Sequence, residues 1–310
     1  MSALEQHLAD YLQLRRSLGH ALAGPARLLP SFIDYLDDLG APTVTVELAL
    51  LWAAQAHNGQ ARTMGTQRMT AVRGFARYLS GIDAGTQIPP LGLMPGRQRR
   101  RRPFIYSPAD IDALMAQAPA SIIQPLRAAT YRALIGLLAA SGLRIGEAIK
   151  LDRADIDWAG GVLLIRESKF GKSRLVPLQD SAMVALADYT ELRGELVPWP
   201  KDPSVFVSQT SKRLCYAAVS STFRRLVDAA GVGADALSPP RLHDLRHTFA
   251  VRTLLGWFRT DQDVQAKIPA LSTYLGHREP ASTYWYLSAS PELLALAAAR
   301  QGSAWSAARS

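Results

Sequence analysis

Apolar residues recur at helical spacing through the first eighty positions. Over residues 2–18, Leu4, Leu8, Tyr11, Leu12 and Leu18 mark one helical face, and Gly19 ends the pattern. A second helix is marked by Leu28, Leu29, Phe32, Ile33, Leu36 and Leu39 and is stopped by Gly40 and Pro42. Thr45 caps a third, with Glu47 in its first turn, running through Leu51 and Trp52. The fourth carries Met64, Met69, Val72, Phe75 and Leu79. Gly81 to Pro103 is rich in glycine and proline and reads as a linker. Ser107-Pro108-Ala109-Asp110 then opens a new helix: serine caps, proline suits the first helical position, and aspartate favours the positive helix end. A long apolar helix follows from Pro125 to Ala140. Residues 162–166 and 174–178 read as two short strands, with Ser168, Lys169, Phe170, Gly171 and Lys172 in the turn of a hairpin. From Ser181 on the pattern is again mostly helical, apart from a short segment at Ser204 to Val207. The prediction is a mainly α chain with a small β-sheet. It has an N-terminal helical domain over 1–90, a linker over 91–106, and an α+β domain over 107–310 that ends in a C-terminal helix.

The chain has 310 residues, of which 48% are hydrophobic, enough to bury a substantial core. It carries 35 Lys+Arg against 26 Asp+Glu, a formal charge of +9, which fits a polyanionic partner such as nucleic acid. Arg62, Arg68, Arg73 and Arg77 stand between the apolar positions of the fourth helix, either as a solvated face or as a row of phosphate contacts. In the linker, Arg97, Arg99, Arg100, Arg101 and Arg102 put five arginines in six residues. Their charges repel, so the run cannot fold on itself. It is either a soluble tether or, the reading favoured here, a strap along a phosphate backbone. Cys215 is the only cysteine, which excludes an internal disulfide and a cysteine-based metal cluster; its apolar surroundings predict a buried helix residue. Glu5, Asp10, Arg15 and Arg16 leave no signal-peptide pattern, and no uncharged run approaches the ~20 residues of a bilayer span, so a cytoplasmic protein with no membrane partner is expected.

The candidate chemistry lies in the second domain. In Arg241-Leu242-His243-Asp244-Leu245-Arg246-His247, His243 and Arg246 share a helical face. That face offers an imidazole that moves protons near neutral pH, beside a guanidinium that forks onto phosphate. His247 would point about 100° away from Arg246 and is left out of the site. Arg144 follows Ser141-Gly142-Leu143 at a break between two helices, where exposed N–H groups and the positive dipole end suit an anion. Arg144 would either grip a phosphate or pair with Glu147 on the surface. His277, in Leu275-Gly276-His277, is either a helix-capping residue or part of the site. Tyr274, Tyr284 and Tyr286 form an aromatic neighbourhood of the kind that more often builds core than chemistry. Neither a P-loop nor a metal-nuclease acidic cluster is visible, so no cofactor or metal is expected.

In combination, Gly142-Leu143-Arg144-x-x-Glu147, His243-x-x-Arg246, Leu275-Gly276-His277 and Tyr286 resemble the boxes of the tyrosine recombinase/integrase family, in order and in spacing. The stretch from Trp257 to Ser290 looks most like integrases of transposons and other mobile elements. The resemblance implies a core-binding N-terminal domain and a catalytic C-terminal domain that clamp duplex DNA. It implies Arg144 and Arg246 as phosphate clamps, His243 and His277 as phosphate contacts, and Lys169 as the acid for the 5′-oxygen, with Lys172 as the hairpin's second basic residue. The family's nine-residue spacing from His277 lands on Tyr286 as nucleophile. Such enzymes join DNA to tyrosine through a 3′-phosphate and need neither metal nor ATP. They act as homotetramers on two recombination sites, commonly exchange a C-terminal helix, here Pro291 to Arg300, and admit accessory proteins. A nicking topoisomerase of the tyrosine type, or a non-catalytic DNA-binding protein of the same fold, are the alternatives.

Overall fold

The computed structural model describes residues 2–55, 61–94, 102–166, 173–277, 279, 281–288 and 292–296. The chain divides into two compact units, Met1–Arg100 and Arg101–Ser310. The division falls within the arginine run.

The first unit holds four helices: α1 (Ala3–Ser17), α2 (Ala23–Asp38), α3 (Val46–Ala54) and α4 (Ala61–Leu79). The starts of α1 and α3 obey local chemistry. Ser2 and Glu5 cap α1 reciprocally, and the Thr45 hydroxyl accepts the Leu48 N–H at the head of α3. One core joins them, built on Leu8, Phe32, Leu36, Trp52, Val72 and Phe75. Two arginines of the fourth-helix row are spent inside this unit. Arg68 lies over the Trp52 ring at 4.7 Å and donates to the Trp52 carbonyl at 2.9 Å. Arg73 donates to the carbonyls of Pro89 and Pro90 at 2.7 and 2.9 Å. The structure thus adds a third role to the two considered, fastening α3 and the following chain to α4. Arg77 and Arg102 are exposed. The side chain of Arg62, and Arg97, Arg99, Arg100 and Arg101, lie outside the described residues.

The second unit is α5 (Pro108–Ser121), α6 (Pro125–Ser141), α7 (Ile145–Lys150), β1 (Ile156–Asp157), β2 (Val162–Ile165), β3 (Arg174–Pro177), α8 (Asp180–Leu196), α9 (Tyr216–Ala229), α10 (Leu242–Arg259), α11 (Val264–Leu275) and α12 (Ala281–Tyr284). A 3-10 turn at Trp285–Ser288 and a short helix over 292–296, α13, follow. Ser107 and Asp110 form the expected cap of α5. The strands make an antiparallel sheet in the order β1-β2-β3, with Leu163 opposite Val176. Leu163, Ile165 and Val176 face the core, while Leu164 and Leu175 are exposed. The hairpin is as predicted. The two-residue β1 is too short to leave a pattern. The turn with Lys169 and Lys172 lies outside the described residues. Ser204 and Val207 form isolated bridges to Asp152 and Arg213, and the residues between them are buried.

Cys215 corrects the expectation of burial: it is exposed, at the N-cap of α9. The buried residues of that stretch are Leu214, Val219, Phe223 and Leu226, a stripe that leaves Cys215 outside. On α13, Leu293 is buried in the unit's own core with α10 and α11, while Leu294 is exposed. Glu292 pairs with Arg259 of α10 at 2.6 Å.

The break after α6 is made by Gly142, in the left-handed region at φ 61°. A Cβ there would lie 2.5 Å from Cδ1 of Phe249, so α6 and α10 meet without room for a side chain. Gly142→Ala should therefore cost about 2–4 kcal/mol, from the left-handed backbone and the overpacking together. A lowered urea midpoint would register it, and an unchanged midpoint would contradict this packing.

Candidate active site

Five separate pieces of the second unit converge. Arg144 is the N-cap of α7, placed by the turn at Gly142. His243 lies on the first turn of α10, and Arg246 and His247 on the next. His277 follows Gly276, whose φ of 66° closes α11. Tyr286 sits on the 3-10 turn after α12. Arg174 enters from β3.

Glu147 organises the arginines. Its carboxylate accepts both terminal nitrogens of Arg174, at 3.0 and 2.9 Å, and the Arg144 Nη1 at 2.7 Å. It also accepts the Arg144 backbone N–H at 3.0 Å. Arg144 donates from Nη2 to the Gly276 carbonyl at 2.7 Å, and Arg174 from Nε to the Tyr274 carbonyl at 2.7 Å. The Arg144–Glu147 pair is thus real but is no surface pair, since Glu147 is only 7% exposed. Gly276 is required here: a Cβ would fall 2.9 Å from Arg174 Nη1 and 3.3 Å from Arg144 Nη1.

Arg246 is 1% exposed. Its Nη1 donates to the Gly142 carbonyl at 2.8 Å and its Nη2 to the Leu275 carbonyl. These carbonyls orient the guanidinium without neutralising it. Burial, then repulsion from Arg144, lowers its pKa to about 10, so it stays cationic at neutral pH.

The imidazoles behave oppositely. Desolvation and then the Arg246 charge hold His243 below its usual pKa. The same two causes, followed by Arg144, bring His277 to about 4. Both are neutral at physiological pH. His277 Nδ1 shares a hydrogen bond with the Thr283 hydroxyl at 2.8 Å, and its ring stacks 6.0 Å from that of Tyr286.

Of the three tyrosines considered, Tyr286 is the one enclosed by this cluster. It is 2% exposed, against 46% for Tyr284. Tyr274 stacks on Phe249 at 5.4 Å, and burial pushes its pKa up to about 12, which suits a packing role.

The structure therefore brings together Arg144, His243, Arg246, His277 and Tyr286. It also adds four residues. Arg174 gave no sequence signal beyond its strand, and Thr283 gave none. Glu147 was visible only as a partner of Arg144. His247 was set aside on helical geometry, yet its ring lies 5.4 Å from Tyr286 and 4.6 Å from His243. Helical rotation from Arg246 does not take His247 out of reach, because the 3-10 turn brings Trp285 and Tyr286 to its ring, at 5.3 and 5.4 Å.

Burial alone would raise the pKa of Glu147; the hydrogen bonds from Arg174 and Arg144 outweigh it and bring the carboxyl down to about 2. A depressed carboxyl contributes stability that is present above its unfolded pKa of about 4.5 and is lost as pH falls through about 2. Between those limits the wild-type chain should lose roughly 2–4 kcal/mol more than Glu147→Gln. Urea titrations of both proteins from pH 5 to pH 2 would check this, and parallel losses would deny the pairing.

Residues 106–292 match the phage integrase family. A protein of Sinorhizobium fredii described as an integrase/recombinase, y4rB, is 43% identical over 98% of this chain and 99% of its own length. The tyrosine recombinase XerC of Pseudomonas putida (strain F1) is 30% identical over 91% of this chain and 90% of its own. Among solved structures, the Tn1549 transposon integrase bound to transposon right-end DNA superposes with a TM-score of 0.64 at 18% identity, covering 92% of this chain and 94% of that one. The lambda integrase tetramer bound to a Holliday junction gives 0.61 at 15%, covering 91% and 76%. The chain belongs to the phage integrase family and is a tyrosine recombinase.

Proposed function

We propose that this recombinase cuts and rejoins duplex DNA through a covalent bond between Tyr286 and a 3′-phosphate, in the integration or excision of a mobile element. The observation that carries the reading is the enclosure of Tyr286 beside two neutral imidazoles and two oriented guanidiniums. A phosphodiester gains negative charge as five-coordinate phosphorus forms. Arg144 and Arg246 oppose that charge from fixed positions, so little reorganisation is needed at the moment of reaction.

A phenol of pKa about 10 must lose its proton to attack at neutral pH. The field of the guanidiniums favours the phenolate, and His243, neutral and on the same helical face as Arg246, accepts the proton. The Tyr286 oxygen bonds to phosphorus, the bond to the 5′-oxygen breaks, and Lys169 supplies the proton that completes a free 5′-hydroxyl. His277, held by Thr283, donates to a phosphate oxygen. Attack by a 5′-hydroxyl reverses the steps and frees Tyr286. The phosphotyrosyl link conserves the bond energy, so the cycle requires no ATP, and Arg144, Arg246 and His277 meet the charge at phosphorus that a metal would otherwise oppose.

The mobile-element role is supported by the transposon integrase among the structural neighbours. Assembly as a tetramer on two sites is supported by the lambda integrase complex. The helical first unit binds DNA in this reading. Arg77 is an exposed cation of its fourth helix, and the arginine run, with the exposed Arg102, and Lys172 add phosphate contacts. Exchange of the C-terminal helix would place Leu293 in a neighbour's core instead of its own.

The test is covalent trapping. The chain is expressed in cells carrying its genomic surroundings, the lysate is denatured with detergent, and protein-linked DNA is sequenced. Wild type and Tyr284→Phe should yield adducts at a recurrent sequence, and Tyr286→Phe none. Adducts that persist in Tyr286→Phe would remove it as nucleophile.

A further inference from the structure

His247 and His277 flank the Tyr286 ring, at 5.4 and 6.0 Å, and His243 packs on His247; of these three histidines the proposed chemistry employs two, His243 and His277. The third, His247, stands one turn beyond His243 on α10. Its ring meets His243 edge-on at 4.6 Å and lies 5.3 Å from Trp285 and 5.4 Å from Tyr286. Its Nδ1 is buried and hydrogen-bonds to no protein atom. Arg15, Arg68 and Arg193 also carry such a nitrogen, but each is an Nε on a guanidinium, and none of these three side chains lies in the site. Burial, and then the neighbouring His243 and arginines, push the His247 pKa down to about 3, so the ring is neutral.

A buried polar atom without a partner is unfavourable, and an apolar group of the same shape would remove that penalty. If packing were the whole role, phenylalanine would fill this place better than histidine. The nitrogen is in surplus for the resting fold, and the ring that carries it lies 5.4 Å from that of Tyr286.

We propose that His247 is a positioning residue for strand cleavage, holding Tyr286 through a hydrogen bond that its Nδ1 makes once DNA fills the site. The proposal rests on the reading of Tyr286 as nucleophile. His247 does not itself contact the phosphate; it fixes the phenol so that its oxygen lies in line with the bond to be broken. Such alignment is worth a large factor in rate, because small displacements of the attacking atom are costly.

Two variants separate this role from packing. His247→Phe keeps the ring and lacks Nδ1. His247→Asn lacks the ring and places a polar atom where Nδ1 stands. Adduct yield is measured for the full chain by the trapping experiment, beside wild type and Tyr286→Phe, and thermal stability is measured on the same purified proteins. His247→Phe should be at least as stable as wild type and yield about tenfold fewer adducts or worse. His247→Asn should be less stable, yet stay within about threefold of the wild-type yield. Yields that follow stability, with His247→Phe equal to wild type and His247→Asn impaired, would overturn the proposal and leave the nucleophile untouched. Absence of Tyr286-dependent adducts in wild type itself would overturn the nucleophile and this proposal together.

Discussion

The site depends on one buried carboxylate. Glu147 receives two guanidiniums and a backbone N–H, and those donors come from α7 and β3. Through the remaining nitrogens of Arg144 and Arg174, the same group reaches the carbonyls of Gly276 and Tyr274 at the end of α11. A buried ion pair is often neutral for stability, because desolvation consumes the Coulombic gain. Here the carboxylate's lone pairs are filled, and its charge lets Arg144 and Arg174 approach each other. Three guanidiniums, counting Arg246, would otherwise repel in a place with little water to screen them. What the carboxylate supplies is geometry: with the Gly276 carbonyl it fixes the direction of the Arg144 guanidinium.

The concentration of positive charge sets the state of everything beside it. His243 and His277 are held neutral by desolvation and by the arginines, while Arg246 remains cationic despite its burial. A division of labour follows. In the proposed chemistry the guanidiniums supply fixed charge, and the imidazoles supply a neutral acceptor and oriented hydrogen bonds. The main-chain carbonyls of Gly142, Leu275 and Gly276 complete the arrangement. They are free to accept because helices end there, in left-handed glycines at 142 and 276. The two short boxes that carry those glycines thus provide both a side chain and the peptide oxygens that hold another.

The first unit illustrates a competing use of the same residue type. Arg68 and Arg73 stand on the fourth helix at spacings that suit a phosphate-binding row, yet both fold onto carbonyls of their own unit. A guanidinium has five N–H donors and a planar face, so it stabilises a loop or an aromatic ring as readily as it meets DNA. Charge counting along a helix cannot separate these uses, because the acceptors come from elsewhere in the chain.

Local rules accounted for much of the molecule. Apolar spacing placed the four helices of the first unit, caps placed the starts of α3 and α5, and alternation placed the β2–β3 hairpin. Each is a short-range consequence of backbone geometry and side-chain period. The motif spacing also singled out Arg144, His243, Arg246, His277 and Tyr286 as a set. Tertiary structure decided what joins them. Arg174 and Glu147 are 27 residues apart, and Arg144 and the Gly276 carbonyl 132, so no local pattern links them. Cys215 fell outside the buried stripe of its stretch, and His247 fell inside the site, for one reason. Periodicity states which residues of a helix share a face, whereas the surrounding elements determine which faces are covered and by what.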